Sequence, residues 1–230
     1  MSTQTLDTAS LTNYLTGRIP DFAGQVTAEK FAGGQSNPTF KVTAGDQQYV
    51  LRRKPPGELL ASAHAVDREF RVISALADTD VPVPKTFLLC EDESIVGSMF
   101  YLMEYLEGRV FWDPTLPEVS SNAERSAIYD DMNRVLAALH KVDVDKVGLG
   151  DFGRPGNYFE RQVGRWTKQY RASETEHSEA METLMEWLPA NMPADDGANS
   201  LVHGDYRLDN LMVHPTEPRI IAVLDWELST

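Results

Sequence analysis

Apolar positions in the first third of the chain come in short runs broken by glycine and proline. Residues 26–31 form one run and lead into Gly33 and Gly34. Residues 40–43 and Gln47–Arg53 flank a Gly45-Asp46 turn, which is the punctuation of a β-hairpin. Lys54-Pro55-Pro56-Gly57 ends the second run, because proline cannot donate to a ladder. Across residues 63–76 the pattern changes. Val66, Phe70, Ile73 and Leu76 recur at three- and four-residue spacing, which predicts an amphipathic helix with Asp67, Arg68 and Arg71 outside. Pro82 and Pro84 stop it. Thr86–Cys90 and residues 98–106 read as two more strands around an acidic turn at 91–94.

Residues 108–117 have the composition of a linker, and beyond them helical periodicity dominates. Ser121-x-x-Glu124 is a capping-box pattern ahead of the apolar stripe Ile128, Met132, Val135, Leu136 and Leu139. Residues 158–171 and 178–188 also predict helices, with a loop through Pro189, Pro193 and Gly197. Three short β segments follow, at 201–203, Leu211–Val213 and 220–224. No internal repeat, heptad array or low-complexity tract is present. The expected class is therefore α+β: an antiparallel sheet with one helix, then a mainly helical part, with the change near residues 106–108. A cleft between two such parts is a common place for a ligand.

The chain has 230 residues, 21 of them Lys or Arg and 35 Asp or Glu, for a formal charge of −14. That balance argues against nucleic acid and anionic membranes as partners, since both require a basic face. The N-terminus lacks a basic and apolar leader, and no apolar run approaches the roughly 18 residues of a membrane helix. A single cysteine, Cys90, cannot form an internal disulfide and fits a reducing compartment, so the expected location is cytoplasmic. The basic series Arg161, Arg165, Lys168 and Arg171 is either a solvated helix face or a patch toward an anionic substrate.

The chemistry concentrates near the end. His203-Gly204-Asp205-Tyr206-Arg207-Leu208-Asp209-Asn210 is a polar, carboxylate-rich loop between short strands. It is followed by an apolar run and then Asp225-Trp226-Glu227. Two acids and an amide converging on a cleft suit a hard divalent cation with oxygen ligands. His-x-Asp-x-x-x-x-Asn, a strand and then Asp resembles the catalytic-loop and metal-loop signature of the protein-kinase-like superfamily. The HGD and DWE forms resemble the aminoglycoside phosphotransferase branch. With VLRRKPPG and AHAVDREF, the chain is most similar to the phosphotransferases related to the kinase-like domain of certain acyl-CoA dehydrogenases. The resemblance spans residues 25–230.

It implies a two-lobed protein-kinase-like fold, with residues 1–106 as nucleotide-binding lobe and hinge and 107–230 as catalytic lobe. Family members continue with further helices, so the resemblance also implies that the second lobe is incomplete. The implied reaction is transfer of the γ-phosphate of ATP, with Mg²⁺, to a hydroxyl of a small molecule, either a hydroxyacyl-CoA-like metabolite or an aminoglycoside-like acceptor. Asp205 is the implied base and Arg207 a cation toward the γ-phosphate, while Asn210 and Asp225 hold the metal. Gly33, Gly34, Ser36 and Asn37 would cover the triphosphate. Alternation on the strand puts Arg52 on the face of Val50, so it is Arg52, rather than Arg53, that matches the cation pairing the α- and β-phosphates. Glu69 matches the acid that orients it, and Met103-Glu104-Tyr105-Leu106 matches the connector that receives adenine. His203 is expected to brace the loop. The rival expectation is a nucleotide-binding pseudokinase or interaction module.

Overall fold

In the computed structural model, β1 (Val26–Lys30), β2 (Thr39–Ala44), β3 (Gln47–Arg53), β4 (Thr86–Cys90) and β5 (Phe100–Glu104) form one antiparallel sheet. Their order is β1-β2-β3-β5-β4. The structure describes residues 5–20, 22–31, 37–55, 65–154, 156–195, 197 and 199–230. Gly33, Gly34 and Ser36 lie outside them.

The centre of the sheet, in β3 and β5, is buried on both faces, and period-two alternation sorts its side chains between two cores. On one face Leu51 and Arg53 of β3 join Phe100 and Leu102 of β5 under an N-terminal helix, α1 (Thr8–Leu15). On the other face Val50, Tyr101 and Met103 meet a second helix, α2 (Val66–Leu76), and continue into the core of the C-terminal half. The α1 helix was not foreseen. Its eight residues offer only Leu11 and Leu15 as buried positions, too few for a legible period. An Asp7 cap and the sheet hold it: the Asp7 carboxylate accepts from Ser10 N at 3.0 Å. Arg53, fully buried, donates to the Val96 carbonyl at 2.8 Å and the Thr5 carbonyl at 3.3 Å on this face.

The C-terminal half consists of α3 (Asn122–His140), α4 (Tyr158–Ser173), α5 (Glu179–Ala190), a 3-10 turn at Leu208–Asn210, and the hairpin β6 (Leu211–Val213) with β7 (Ile220–Val223). Ser121 caps α3, its hydroxyl accepting from Glu124 N at 3.4 Å. The expected reciprocal arm is replaced: the Glu124 carboxylate is taken by Arg109 at 2.8 Å, a charge-assisted contact. The strand expected at 201–203 does not form. Val202 and Thr230 exchange two backbone hydrogen bonds, at 2.8 and 2.9 Å, and the ladder stops there because the chain turns at Gly204 (φ 87°). The α4 and α5 helices bury no residue; Phe159, Trp166, Leu184 and Trp187 lie exposed on them. No described helix is long and apolar enough to cross a membrane.

Candidate functional site

Four elements converge beneath the sheet. β3 supplies Arg52 and α2 supplies Glu69. The loop from His203 to the 3-10 turn supplies Asp205 and Asn210, and the segment after β7 supplies Asp225 and Glu227. Arg52 Nε lies 2.8 Å from Glu69 Oε2, and Arg52 Nη2 lies 2.5 Å from Asp225 Oδ1 and 3.8 Å from Glu227 Oε2. The planar guanidinium makes this bridge possible, because its fork presents separate donors to separate acids. Burial disfavours the Arg52 cation, but Glu69, Tyr101, Asp225 and Glu227 around it hold its pKa above the ordinary value.

Glu69 is 1% exposed. Burial pushes its carboxyl up to about 7, against the opposing pull of Arg52. Its Oε1 accepts from the Trp226 backbone N–H at 3.1 Å. That contact was invisible in the sequence, since any residue but proline at 226 has an N–H. It depends on Asp225, which stands at φ 61°, a left-handed conformation that costs a non-glycine residue about 1 kcal/mol or more. The turn at this residue lets the 225 carboxylate meet Arg52 while the next amide meets Glu69. Arg68, expected on the outside of α2, donates instead to the Phe152 carbonyl at 3.0 Å, and Arg71 pairs with Asp151. Together these contacts fasten α2 to the C-terminal half.

The His203–Asn210 loop is braced from within. His203 is 1% exposed; its Nε2 donates to the Leu224 carbonyl at 2.9 Å, and its Nδ1 accepts from Asp205 N at 3.2 Å. These partners assign the neutral tautomer protonated on Nε2. Burial lowers its pKa, although the Leu224 carbonyl, Asp225 and Asp205 favour the cation. Asn210 Nδ2 donates to the Asp205 carbonyl at 2.9 Å and to Asp205 Oδ2 at 3.0 Å. The amide nitrogen is thereby committed, so the oxygen is the atom Asn210 has to offer a cation. The Asn210 carbonyl accepts from Leu224 N at 2.8 Å, tying this loop to the residue before Asp225. Arg207, 60% exposed, lies 3.3 Å from Asp205 Oδ2 and 3.1 Å from Asp209 Oδ2.

The structure thus brings Arg52, Glu69, Asp205, Asn210, Arg207 and Asp225 into one region. Asn37 joins them: it is buried, and its Nδ2 donates to Glu227 Oε2 at 3.2 Å. Glu104 closes β5, its N–H donating to the Lys85 carbonyl at 2.8 Å, and Leu106 follows in the connector. The donor set of one carboxylate, one amide oxygen and neighbouring acids is hard oxygen throughout and fits Mg²⁺. Of the basic series on α4, Arg161 donates to the Gly156 and Arg154 carbonyls and Arg171 pairs with Glu182 and Glu174. Arg165 and Lys168 stay exposed. A separate cavity of about 690 Å³ is lined by Leu149, Phe152, Met192 and Leu201 but by none of the site residues.

Residues 27–230 match the phosphotransferase enzyme family. The chain is 50% identical over 222 residues to mouse acyl-CoA dehydrogenase family member 10, covering 96% of this chain and 21% of that protein. It therefore spans about a fifth of that relative's length. A crystal structure from Ralstonia eutropha, assigned to the aminoglycoside phosphotransferases, shares 57% identity. That likeness has a TM-score of 0.89 and covers 98% of this chain and 66% of that one. A ternary complex of aminoglycoside phosphotransferase APH(4)-Ia with AMP-PNP and hygromycin B superposes with a TM-score of 0.65 at 18% identity, covering 96% of this chain and 71% of that one. The α+β, two-lobed kinase-like fold is shared with these two solved structures.

Proposed function

The chain belongs to the phosphotransferase enzyme family, and on that premise we propose that it transfers the γ-phosphate of ATP to a hydroxyl group of a small molecule. The supporting observation is the Arg52 bridge. A cation from the sheet meets an acid of α2 and an acid of the C-terminal half in one cluster, where a triphosphate held between the two halves would lie. We take residues 1–106 as the nucleotide-binding part and 107–230 as the catalytic part.

In this reading Arg52, held by Glu69, binds the α- and β-phosphates, and the connector at Glu104–Leu106 receives the base. The glycines at 33 and 34, with Ser36 and Asn37, cover the phosphates. Asn210 and Asp225 hold Mg²⁺, which when bound neutralises charge on the phosphates. Asp205 orients the acceptor hydroxyl and takes its proton as the oxygen attacks phosphorus in line. Asn210 fixes the Asp205 carboxylate through Oδ2, and Arg207 faces the transferred group. His203, buried and neutral, holds the loop and moves no proton.

The acceptor favoured is an anionic, hydroxyacyl-CoA-like metabolite rather than an aminoglycoside. Two observations support it: the acyl-CoA dehydrogenase name of the relative, and the exposed Arg165 and Lys168 on α4 of an otherwise acidic chain. The test is a thermal-shift titration with ATP and Mg²⁺, followed by phosphate transfer from labelled ATP to a panel of hydroxyacyl-CoAs and aminoglycosides. Magnesium-dependent stabilisation with transfer to a hydroxyacyl-CoA is expected. Stabilisation without transfer to any acceptor replaces this reading with a nucleotide-binding module, and absence of any nucleotide effect removes it.

A further inference from the structure

The cluster around Glu69 contains a group that the phosphotransferase reading does not use. Tyr101 of β5 is the direct cross-strand partner of Arg52. Direct partners in an antiparallel pair project to the same face, here the face that α2 covers. The Tyr101 side chain is fully buried, its ring 6.0 Å from that of Phe70 on α2. Its hydroxyl is buried without a hydrogen-bond partner among the described residues, and burial, with the charge of Glu69 added to it, raises its pKa. The seat is otherwise apolar: Val72, Ile73 and Leu76 of α2 and Val50 and Met103 of the sheet belong to the same core.

Phenylalanine would fill that seat equally well and would bring no hydroxyl to be desolvated. A tyrosine there calls for a polar partner, and Glu69 is the acid beside it. Glu69 calls for the tyrosine in turn. A buried carboxylate requires several donors to remain an anion. Its Oε1 has the Trp226 N–H, whereas Oε2 faces Arg52 Nε at 2.8 Å without an aligned hydrogen bond. Arg52 Nε, Glu69 Oε2 and the Tyr101 hydroxyl are thus three buried polar atoms in one spot, none in an aligned bond while Arg52 leans toward Asp225.

We propose that Tyr101 is a positioning residue. Its hydroxyl donates to Glu69 and sets the angle at which that carboxylate presents Arg52 to the cleft. The role rests on the phosphotransferase reading for its consequence, nucleotide binding, but not for the contact itself.

A double-mutant cycle on the whole chain tests it. Affinity for MgATP is measured by calorimetry in the wild type, Tyr101→Phe, Glu69→Gln and the double variant. Tyr101→Phe is expected to weaken binding roughly 5- to 10-fold, the effect of one ordinary hydrogen bond, with little further loss when added to Glu69→Gln. Unchanged affinity in Tyr101→Phe overturns the proposal, and so does an equal loss in both backgrounds, because packing alone would give additive effects. Hydrogen exchange at Arg52 Nε–H, followed by NMR without nucleotide, provides a readout independent of function. Exchange is expected to quicken roughly tenfold in Tyr101→Phe as the cage loosens. An unchanged rate overturns the positioning role even in a chain that binds ATP. A wild type that ignores MgATP yet shows the exchange effect sinks the functional reading and leaves the Tyr101–Glu69–Arg52 linkage standing.

Discussion

Arg52 and Asp225 are 173 positions apart in the chain and 2.5 Å apart in the fold. The contact joins the sheet to the segment after β7, and it coexists with the Arg52–Glu69 pair because a guanidinium has more than one donor edge. Lysine at this position has a single ammonium and cannot reproduce that fork. Arg52→Lys is therefore expected to weaken MgATP binding roughly 10-fold while leaving the fold intact. Arg52→Ala leaves Glu69 buried without its cation and should lower unfolding free energy by about 3 kcal/mol. Calorimetry and urea unfolding read the two effects separately. Equal nucleotide affinity in all three proteins would remove Arg52 from the phosphate site.

Asp205 is fixed by Asn210 but belongs to none of the buried pairs that carry stability. Asp205→Asn should reduce kcat roughly 10²–10⁴-fold with little change in MgATP affinity, the signature of a lost general base. Initial rates alongside nucleotide titration decide it. Turnover that survives intact means that the acceptor hydroxyl is activated elsewhere.

His203 links stability to pH. Its folded pKa is below the ordinary 6.5, so the unfolded chain takes up a proton that the folded chain resists. Its contribution is fully present above about pH 6.5 and is lost as pH falls through the lowered folded value. Across that window the wild type should lose about 1 kcal/mol per pH unit from this residue. His203→Gln keeps a donor for the Leu224 carbonyl and should flatten the slope below pH 6.5. Denaturation curves at several pH values provide the comparison; parallel slopes would show that His203 titrates as freely as in the unfolded chain.

Gly204 turns the chain at φ 87°, and a Cβ there would lie 2.4 Å from the Leu228 carbonyl oxygen. That neighbour is backbone and cannot swing aside. Gly204→Ala should destabilise by about 1–3 kcal/mol, and it should disturb Asp205 next to it. A thermal unfolding midpoint equal to the wild type would contradict this.

Much of the sheet was legible before the structure. Gln47–Arg53, Thr86–Cys90 and Leu211–Val213 were read to the residue, because turns, prolines or polar loops flank their runs, and β3 also shows alternation over Val50–Arg53. The same alternation separates the fates of Arg52 and Arg53: one enters the Glu69–Asp225 cluster, the other lies buried beneath α1. Other features left no such trace. The α1 helix is held by packing that eight residues do not advertise, and residues 201–203 carry strand-like apolarity but find only Thr230 to pair with. Arg68 and Arg71 sit on the polar side of a helical wheel, yet both reach partners in the C-terminal half.

The order and spacing of residues determined which groups exist and which element carries each one: a cation on a strand, an acid on a helix, a loop of Asp and Asn, an acid after the last strand. These follow from local periodicity and chemical type. Tertiary structure alone decided that Asp225 adopts a left-handed backbone, that the Trp226 amide donates to Glu69, and that one guanidinium bridges two acids. Such contacts join atoms far apart in sequence and depend on backbone groups every residue possesses, so the chain writes them only once it is folded.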